Sequence, residues 1–241
     1  MKKIRSFIIT LILFLLLIIT LIFNGTILIR EPSLKKFPIR GVDVSHYQGK
    51  IDWSIISKQN ITFAFIKATE GSNSHDECFS ENWENVGNTN IKRGAYHFFS
   101  FDSNGKTQAE NFISTVPISN NMMPPIVDVE FYGNKEKNKP NKSDVRYELD
   151  ILLNELEEYY GQKPIIYTTM KVYQLYIDDY YDEYTLWIRN TYYKPFLFDS
   201  RKWLFWQYSD KEVLNGYNGN EKYIDMNIFN GDIETFNELF N

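Results

Sequence analysis

The chain has 241 residues, of which 43% are hydrophobic, 17% aromatic and 24% charged, with a net charge of −5 at pH 7. This composition is typical of a globular protein that is long enough for one large domain. The single cysteine, Cys78, excludes an intramolecular disulfide framework and a cysteine-based zinc site. The three histidines, His46, His75 and His97, lack metal-ligand spacing. We therefore expect neither a metal nor another cofactor.

The N-terminal segment differs from the rest of the chain. A short basic stretch, residues 1–6, precedes an apolar run over residues 7–23. As a helix this run would span roughly 26 Å, close to the thickness of a thin bilayer core. A cleaved signal peptide is the alternative, but its apolar region is usually shorter and ends in an Ala-x-Ala-like pattern, which is missing here. We expect an uncleaved transmembrane anchor, followed by a stalk over residues 24–38.

Charge separates this segment from the body of the chain. Residues 1–40 carry seven basic side chains and one acidic side chain, which leaves 19 basic and 30 acidic residues in 41–241, a net charge of −11. Nucleic acid is a poor partner for such an acidic body. Positive charge before the apolar run places residues 1–6 in the cytoplasm and the body, residues 39–241, outside. We expect a single-pass protein of the cell membrane whose body is extracellular.

From residue 39 onward, short apolar strands alternate with helical stretches. Strands are predicted at Arg40–Ser45, Thr62–Ala68, Arg93–Phe99, Pro125–Glu130, Pro164–Thr168, Tyr184–Arg189, Trp203–Tyr208 and Ile224–Phe229. Helices are predicted near 53–59, 79–90, 106–115, 143–160 (capped by Ser143) and 169–178. This alternation predicts an α/β fold with a mostly parallel sheet and right-handed crossovers. Eight strands in roughly 200 residues imply a TIM-like (β/α) barrel, here with fewer than eight helices.

Acidic residues recur at the ends of the predicted strands. Asp128 and Glu130 stand two apart, so their side chains point to the same face. Asp43 lies in the first strand, Glu70 follows the second, and Asp225 lies in the eighth, which neighbours the first in a closed barrel. Barrel enzymes carry out their chemistry at the carboxyl-terminal rim. Two adjacent carboxyls raise one pKa, and glycoside cleavage requires an acid that stays protonated near neutrality. The cluster favours an enzyme over chance surface acids.

Several strings around these acids form a consistent set. They are Gly41-Val-Asp-Val-Ser-His-Tyr-Gln-Gly49 with Ile51-Asp-Trp53, Phe65-Ile-Lys-Ala-Thr-Glu-Gly71, Gly94-Ala-Tyr-His-Phe98, Pro125-Ile-Val-Asp-Val-Glu130, Pro164-Ile-Ile-Tyr167, Leu186-Trp-Ile188, Trp206-Gln-Tyr-Ser209 and Asp225-Met-Asn227. Together they resemble the motifs of glycoside hydrolase family 25, the muramidase-type lysozymes, in family order. The resemblance implies an eight-stranded barrel and cleavage of β-1,4 bonds between N-acetylmuramic acid and N-acetylglucosamine in peptidoglycan.

The resemblance also implies roles for individual residues. Carried over position by position, Glu130 would be the general acid. Asp128 would stabilise positive charge near the 2-acetamido group of the sugar in a substrate-assisted reaction, with a covalent aspartyl intermediate as the alternative. Asp43 and Asp225 would hold substrate hydroxyls and set the electrostatics of the pair.

The resemblance assigns further positions to substrate binding. Tyr96, Tyr167 and Trp206 match family positions that line the groove, where aromatic rings stack on sugar faces. Core packing is the alternative for each of the three. Glu70 is a further candidate that could instead pair with a basic neighbour.

Two other functions stay open at this point. One is a catalytically inactive barrel that binds wall glycan, and the other is a hexosaminidase that cuts the alternate bond. Loss of an acid would favour the inactive barrel, and the motifs retain all of them. We expect a monomer whose partners are peptidoglycan glycan strands and, through the N-terminal helix, the membrane.

Overall fold

The computed structural model describes residues 2–23, 32–120, 122–197, 199 and 201–240. Residues 24–31, most of the predicted stalk, lie outside the described residues. The last part of the predicted stalk is packed on the body, because Phe37 is only 4% exposed and its ring lies 6.0 Å from that of Trp203.

The N-terminal helix α1 spans Lys2–Phe23 and so begins before the predicted apolar run. Its stretch Lys3–Leu21 is long and apolar enough to cross a membrane, and none of that stretch is buried inside the protein. A signal sequence would have the same length and composition. The helix is therefore a candidate membrane anchor or signal.

Eight strands form a closed barrel, as the sequence predicts. The strands are β1 (Arg40–Val44), β2 (Phe63–Glu70), β4 (Lys92–Phe98), β5 (Ile126–Val129), β6 (Ile165–Thr169), β7 (Thr185–Arg189), β8 (Phe205–Glu212) and β9 (Ile224–Phe229), and a two-residue strand β3 (Ser74–His75) pairs with the end of β2. Neighbours along the chain pair around the barrel, and β1 pairs with both β2 and β9, which closes it. Each barrel strand overlaps its predicted range.

The last strand runs against the other seven. Strands β1 to β8 of the barrel pair in parallel, whereas β9 is antiparallel to both β8 and β1. The predicted mostly parallel sheet is thus confirmed. The direction of β9 brings its first residues to the rim where the parallel strands end.

The described residues contain seven α-helices, in line with the prediction of fewer than eight around the barrel. After α1 they are α2 (Trp53–Ile56), α3 (Phe79–Gly87), α4 (Gly105–Thr115), α5 (Lys142–Tyr160), α6 (Met170–Val172), which continues as a π-helix over Tyr173–Ile177, and α7 (Ile233–Phe240). The residue that caps α5 is Asn141, whose Oδ1 accepts from the Ser143 amide at 2.9 Å, and not Ser143. The sequence did not predict α7.

Aromatic side chains fill the amino-terminal half of the barrel interior. This aromatic plug, which α7 closes from below, consists of Phe63, Phe65, Phe205, Phe229, Phe236 and Phe240. Two glycines leave room for it: a Cβ on Gly41 would lie 2.3 Å from the Phe63 ring, and one on Gly94 would lie 2.9 Å from the Phe65 ring. The plug removes water from one end of the barrel, so the other end is the one that can hold a pocket.

Candidate active site

A pocket of about 530 Å³ opens at the carboxyl-terminal end of the barrel. Four of the acids predicted from the sequence line it: Asp43 from β1, Asp128 and Glu130 from β5 and the position just after it, and Asp225 from β9. Strand alternation explains the first three, because residues two apart on a strand share a face. The antiparallel direction of β9 explains the fourth.

Asp128 and Glu130 face the same cavity, as their spacing predicts. Asp128 is buried, and its Oδ1 has no hydrogen-bond partner among the described residues. Burial and the neighbouring Glu130 carboxylate raise the pKa of Asp128 well above its ordinary value. Burial also raises the pKa of Glu130, with Asp43 adding to the shift and Arg189 opposing it. The pair therefore holds a proton at a pH where exposed carboxyls are ionised.

Asp43 and Asp225 lie opposite each other across the β1–β9 pairing. Oδ2 of Asp43 accepts from Gln207 Nε2 at 2.8 Å and from Asn227 Nδ2 at 2.7 Å. The same Gln207 nitrogen donates to Asp225 Oδ2 at 3.1 Å. Burial and the charge of Asp43 raise the pKa of Asp225 to about 9. Burial also raises the pKa of Asp43, against the hydrogen bonds from Asn227 and Gln207.

The amides of this network are held by aromatic side chains. The Tyr167 hydroxyl donates to Gln207 Oε1 at 3.0 Å, and the Trp187 indole nitrogen donates to Asn227 Oδ1 at 2.8 Å. These bonds fix which amide atom faces the carboxylates, because each oxygen is occupied and each nitrogen is left to donate. Asp43 and Asp225 are thus oriented by a fully bonded layer beneath them.

Two cations share the pocket with the acids. Lys67 of β2 pairs with Glu70 at 2.6 Å, and Arg189 at the end of β7 pairs with Asp210 at 3.0 Å. The burial that lowers the pKa of Arg189 is outweighed by the nearby Tyr167, Asp210 and Glu130, so its pKa is raised. Positive charge on two sides of the acids limits the repulsion among them.

The predicted substrate-binding residues separate into two groups. Tyr96 and Tyr167 line the pocket, as does Trp187, which the sequence analysis did not select. Glu70 is exposed at the rim and is paired with Lys67, the alternative that the sequence left open for it.

Trp206 lies on the other side of the sheet. Its side chain is 2% exposed and packs beside Trp203 and Tyr208, while its indole nitrogen donates to the Asn190 carbonyl at 2.8 Å. The next residue, Gln207, faces the pocket. Because neighbouring strand residues point to opposite faces, Trp206 has to point outward into the core. This placement corrects the prediction that its ring lines the groove.

The structure adds residues that sequence reasoning missed, namely Gln207, Asn227, Trp187 and Arg189. Gln207 and Asn227 lie inside strings that carry the family resemblance, so their position in the motifs was an available signal. No comparable signal marked Arg189. Among the described residues, no group of three or more His, Cys, Asp or Glu side chains could hold a metal ion.

The chain matches a known protein family over most of its barrel. The model of the family described as glycosyl hydrolases family 25 matches residues 42–217. The chain belongs to glycosyl hydrolase family 25. Members of this family are hydrolases of the lysozyme, or muramidase, type that act on peptidoglycan, and the resemblance seen in the motifs is confirmed.

Individual relatives match this family 25 chain over most of its length. A family 25 glycosyl hydrolase from Bacillus anthracis has a TM-score of 0.83 and 51% identity, covering 88% of this chain and 98% of that one. The bacterial lysozyme from Streptomyces coelicolor has a TM-score of 0.75 and 29% identity, covering 84% and 97%. The protein YegX from Escherichia coli strain K12 is 36% identical over 211 residues, 86% of this chain and 74% of that protein.

Proposed function

We propose that this protein hydrolyses the β-1,4 bond between N-acetylmuramic acid and N-acetylglucosamine of bacterial cell-wall peptidoglycan, with Glu130 as general acid. The observation that carries the proposal is the convergence of Glu130, Asp128, Asp43 and Asp225 on one pocket of a family 25 barrel. A retained proton is what the leaving sugar oxygen needs, and burial supplies it by raising the pKa of Glu130.

Asp128 would act through the 2-acetamido group of the sugar. As the glycosidic bond breaks, Glu130 gives its proton to the leaving oxygen, and the acetamido carbonyl oxygen bonds to the sugar carbon. Positive charge then develops at the acetamido nitrogen, and the unpartnered Oδ1 of Asp128 is suited to accept its N–H. The same contact favours the anion at Asp128 already in the bound substrate, so the proton that the pair shares is on Glu130 before the bond breaks. Water then attacks the same sugar carbon and opens the ring that the acetamido oxygen had formed, while Glu130 takes a proton from that water.

Asp43 and Asp225 would hold the sugar and the charge balance. Their carboxyls are fixed by Gln207 and Asn227, so a substrate hydroxyl meets an acceptor that does not have to reorganise. Tyr96, Tyr167 and Trp187 would supply the apolar wall on which a sugar ring packs.

The N-terminal helix would keep the enzyme at the membrane. Helix α1 is apolar along its length and follows a basic N-terminus, and these features support an uncleaved anchor with residues 1–6 in the cytoplasm and the barrel outside. Fractionation of cells that carry a C-terminally tagged chain tests this. Full-length mass in the membrane fraction is expected, and a shortened, released chain would contradict the anchor.

Analysis of the cleavage products tests the reaction. The full chain in detergent micelles is incubated with purified peptidoglycan, the products are reduced with borohydride, and the reduced sugar is identified by mass spectrometry. Muraminitol ends are expected. Glucosaminitol ends would show a glucosaminidase instead, and a folded protein that binds the wall but releases no products would show a glycan-binding module.

A further inference from the structure

A second cavity adjoins the active-site pocket. This cavity of about 450 Å³, here called the side pocket, is lined by residues that follow β5, β6 and β7, among them Thr169, Lys171 and Tyr192. Glu130 and Arg189 line both cavities. The proton donor and the guanidinium therefore stand at the junction, and a glycan that extends from Glu130 into the side pocket passes Arg189.

Asn190 anchors the outer wall of the side pocket. Oδ1 of the buried Asn190 accepts from the backbone amides of Tyr192 at 3.1 Å and Tyr193 at 3.3 Å. The Asn190 carbonyl oxygen in turn accepts from the Trp206 indole nitrogen. Tyr192 nevertheless stays 43% exposed. The wall is thus anchored from the core while it presents an aromatic surface to a ligand.

Carboxyl groups outnumber cations in the active-site pocket. Six carboxyl groups line the active-site pocket against two cations, Lys67 and Arg189. Those carboxyls of this wall that are ionised repel a carboxylate on the substrate, so a cation has to receive it. Lys67 is already held by Glu70 at 2.6 Å. The position of Arg189 at the junction makes it the cation that a substrate beside Glu130 would meet.

Arg189 has N–H groups that could bind such a carboxylate. A guanidinium carries five N–H groups in a planar fork that matches a carboxylate. Among the described residues its hydrogen-bond partner is Asp210 alone, through Nη2. Its side chain is 37% exposed, so a ligand can reach the remaining donors.

We propose that Arg189 is a specificity residue that binds a free carboxylate on the glycan next to the scissile bond, namely the 3-O-lactyl carboxylate of a muramic acid residue without its peptide. The proposal rests on the proposed function, which places the scissile bond at Glu130. It makes the enzyme selective for glycan strands from which an amidase-type reaction has already removed the peptides. A peptide-linked lactyl group is a neutral amide and would leave the guanidinium without its partner.

Three matched substrates test the proposal with the full chain in detergent micelles. The first is glycan strands freed of peptides by an amidase, the second is the same strands with the lactyl carboxylates coupled to methylamine, and the third is strands with intact peptides. We expect kcat/KM for the free carboxylate to exceed that for the methylamide by about tenfold, the effect of one charge-assisted hydrogen bond. Strands with intact peptides should resemble the methylamide.

Variants assign the preference to Arg189. Arg189→Gln should bring the ratio between the first two substrates close to one, and Arg189→Lys should keep part of it because the charge remains without the fork. Lys67→Gln, which removes the other cation of the pocket, is the matched control and should keep the ratio whatever it does to the rate. A ratio of substrates also separates recognition from a change in the pKa of Glu130, because such a change affects both substrates equally.

Several results would overturn the proposal. They are equal kcat/KM for free and coupled strands in the wild type, an unchanged ratio in Arg189→Gln, or a preference for strands with intact peptides, which would place the carboxylate on the peptide. Binding of the same strands to Glu130→Gln, with and without Arg189→Gln, gives a readout that needs no turnover. A carboxylate preference in binding without any cleavage by the wild type would support Arg189 while refuting the proposed reaction.

Discussion

The two ends of the barrel interior use the same strands for opposite purposes. At the amino-terminal end, inward positions carry the aromatic plug, whose rings pack with centroids such as Phe63–Phe205 only 5.1 Å apart. At the carboxyl-terminal end, inward positions on the same strands, β2, β8 and β9, carry Lys67, Gln207 and Asp225. Two steps along β1 separate Gly41, which makes room for the plug, from Asp43. The amino-terminal end of the interior stabilises the barrel, and the carboxyl-terminal end carries the candidate active site.

This contrast shows how a barrel can hold a costly acid cluster. Buried carboxyls with raised pKa values weaken the folded state when they ionise, so the pocket end destabilises the protein at neutral pH. The plug compensates, because burying a phenylalanine side chain contributes roughly 1.5–3 kcal/mol. Substitutions at the two ends should therefore change different properties.

The largest effect is expected at the pocket end, on activity alone. Glu130→Gln removes the proposed proton donor and should lower kcat by about 10²–10⁴-fold, because general acid catalysis contributes that much. Glycan binding and thermal stability should be kept. The release of new reducing ends from peptidoglycan measures kcat. A pull-down with insoluble wall measures glycan binding, and thermal melting measures stability.

Glu183→Gln is the matched control for that substitution, since Glu183 is an exposed residue paired with Lys163 away from the pocket. It should behave as the wild type in both assays. Full activity of Glu130→Gln would refute the role of Glu130 as the acid.

The next effect is expected at the plug, on stability. Phe65 is fully buried and its ring touches those of Phe63, Trp187 and Phe205. Phe65→Ala should cost about 3–5 kcal/mol because it leaves a cavity that the rigid barrel cannot close. Thermal melting followed by circular dichroism in detergent measures the loss. Tyr147→Ala, at an exposed aromatic, should leave the melting temperature unchanged, and equal losses in the two variants would contradict the plug's role.

A smaller effect of opposite sign is expected from Asp225→Asn. The pKa of Asp225 is raised from 3.8 to about 9, so the folded state holds a proton that the unfolded state releases. Stability from this group is complete at low pH and is lost as pH rises toward the folded-state value. Asparagine cannot ionise, so its melting temperature should exceed that of the wild type by an amount that grows between about pH 4 and pH 9, while activity falls.

Melting curves over that pH range, with exposed Asp182→Asn as control, check this prediction. A difference between Asp225→Asn and the wild type that is independent of pH would show that Asp225 does not titrate as its surroundings indicate.

The smallest effect is expected from Trp206, which packs outside the sheet and donates a hydrogen bond to Asn190 in the wall of the side pocket. Trp206→Phe keeps an aromatic side chain but loses the indole hydrogen bond to Asn190, and the loss of that bond costs about 1 kcal/mol. The wall that carries Tyr192 should loosen and raise KM a few-fold. Trp53→Phe loses a comparable bond to Asn82 far from the pocket and should lower stability without changing KM. An unchanged KM in Trp206→Phe would limit Trp206 to packing.

Local patterns were sufficient for most of the fold and for the central pair of the site. The eight strands were predictable because each is a short apolar run bounded by turn or helix residues. Asp128 and Glu130 were predictable as a same-face pair because strand side chains alternate. The short helix α7 was missed, although its Phe236 and Phe240 seal the plug.

The sequence by itself determined where the strands lie to within a few residues, which acids stand near their ends and which family the motifs resemble, because these are properties of neighbouring residues. It did not determine which face of a strand lines the pocket. Trp206 was assigned inward from the family resemblance, although Gln207 is the inward residue. Because a barrel strand is buried on both faces, its hydrophobic pattern could not correct that assignment.

Only the tertiary structure decided how distant residues meet. The antiparallel direction of β9 sets Asp225 opposite Asp43, and the end of β7 sets Arg189 beside Glu130. Both are consequences of how strands far apart in sequence pair around the closed barrel. Side chains alternate along each strand, but they line a common pocket only because the barrel closes. That closure depends on the whole chain.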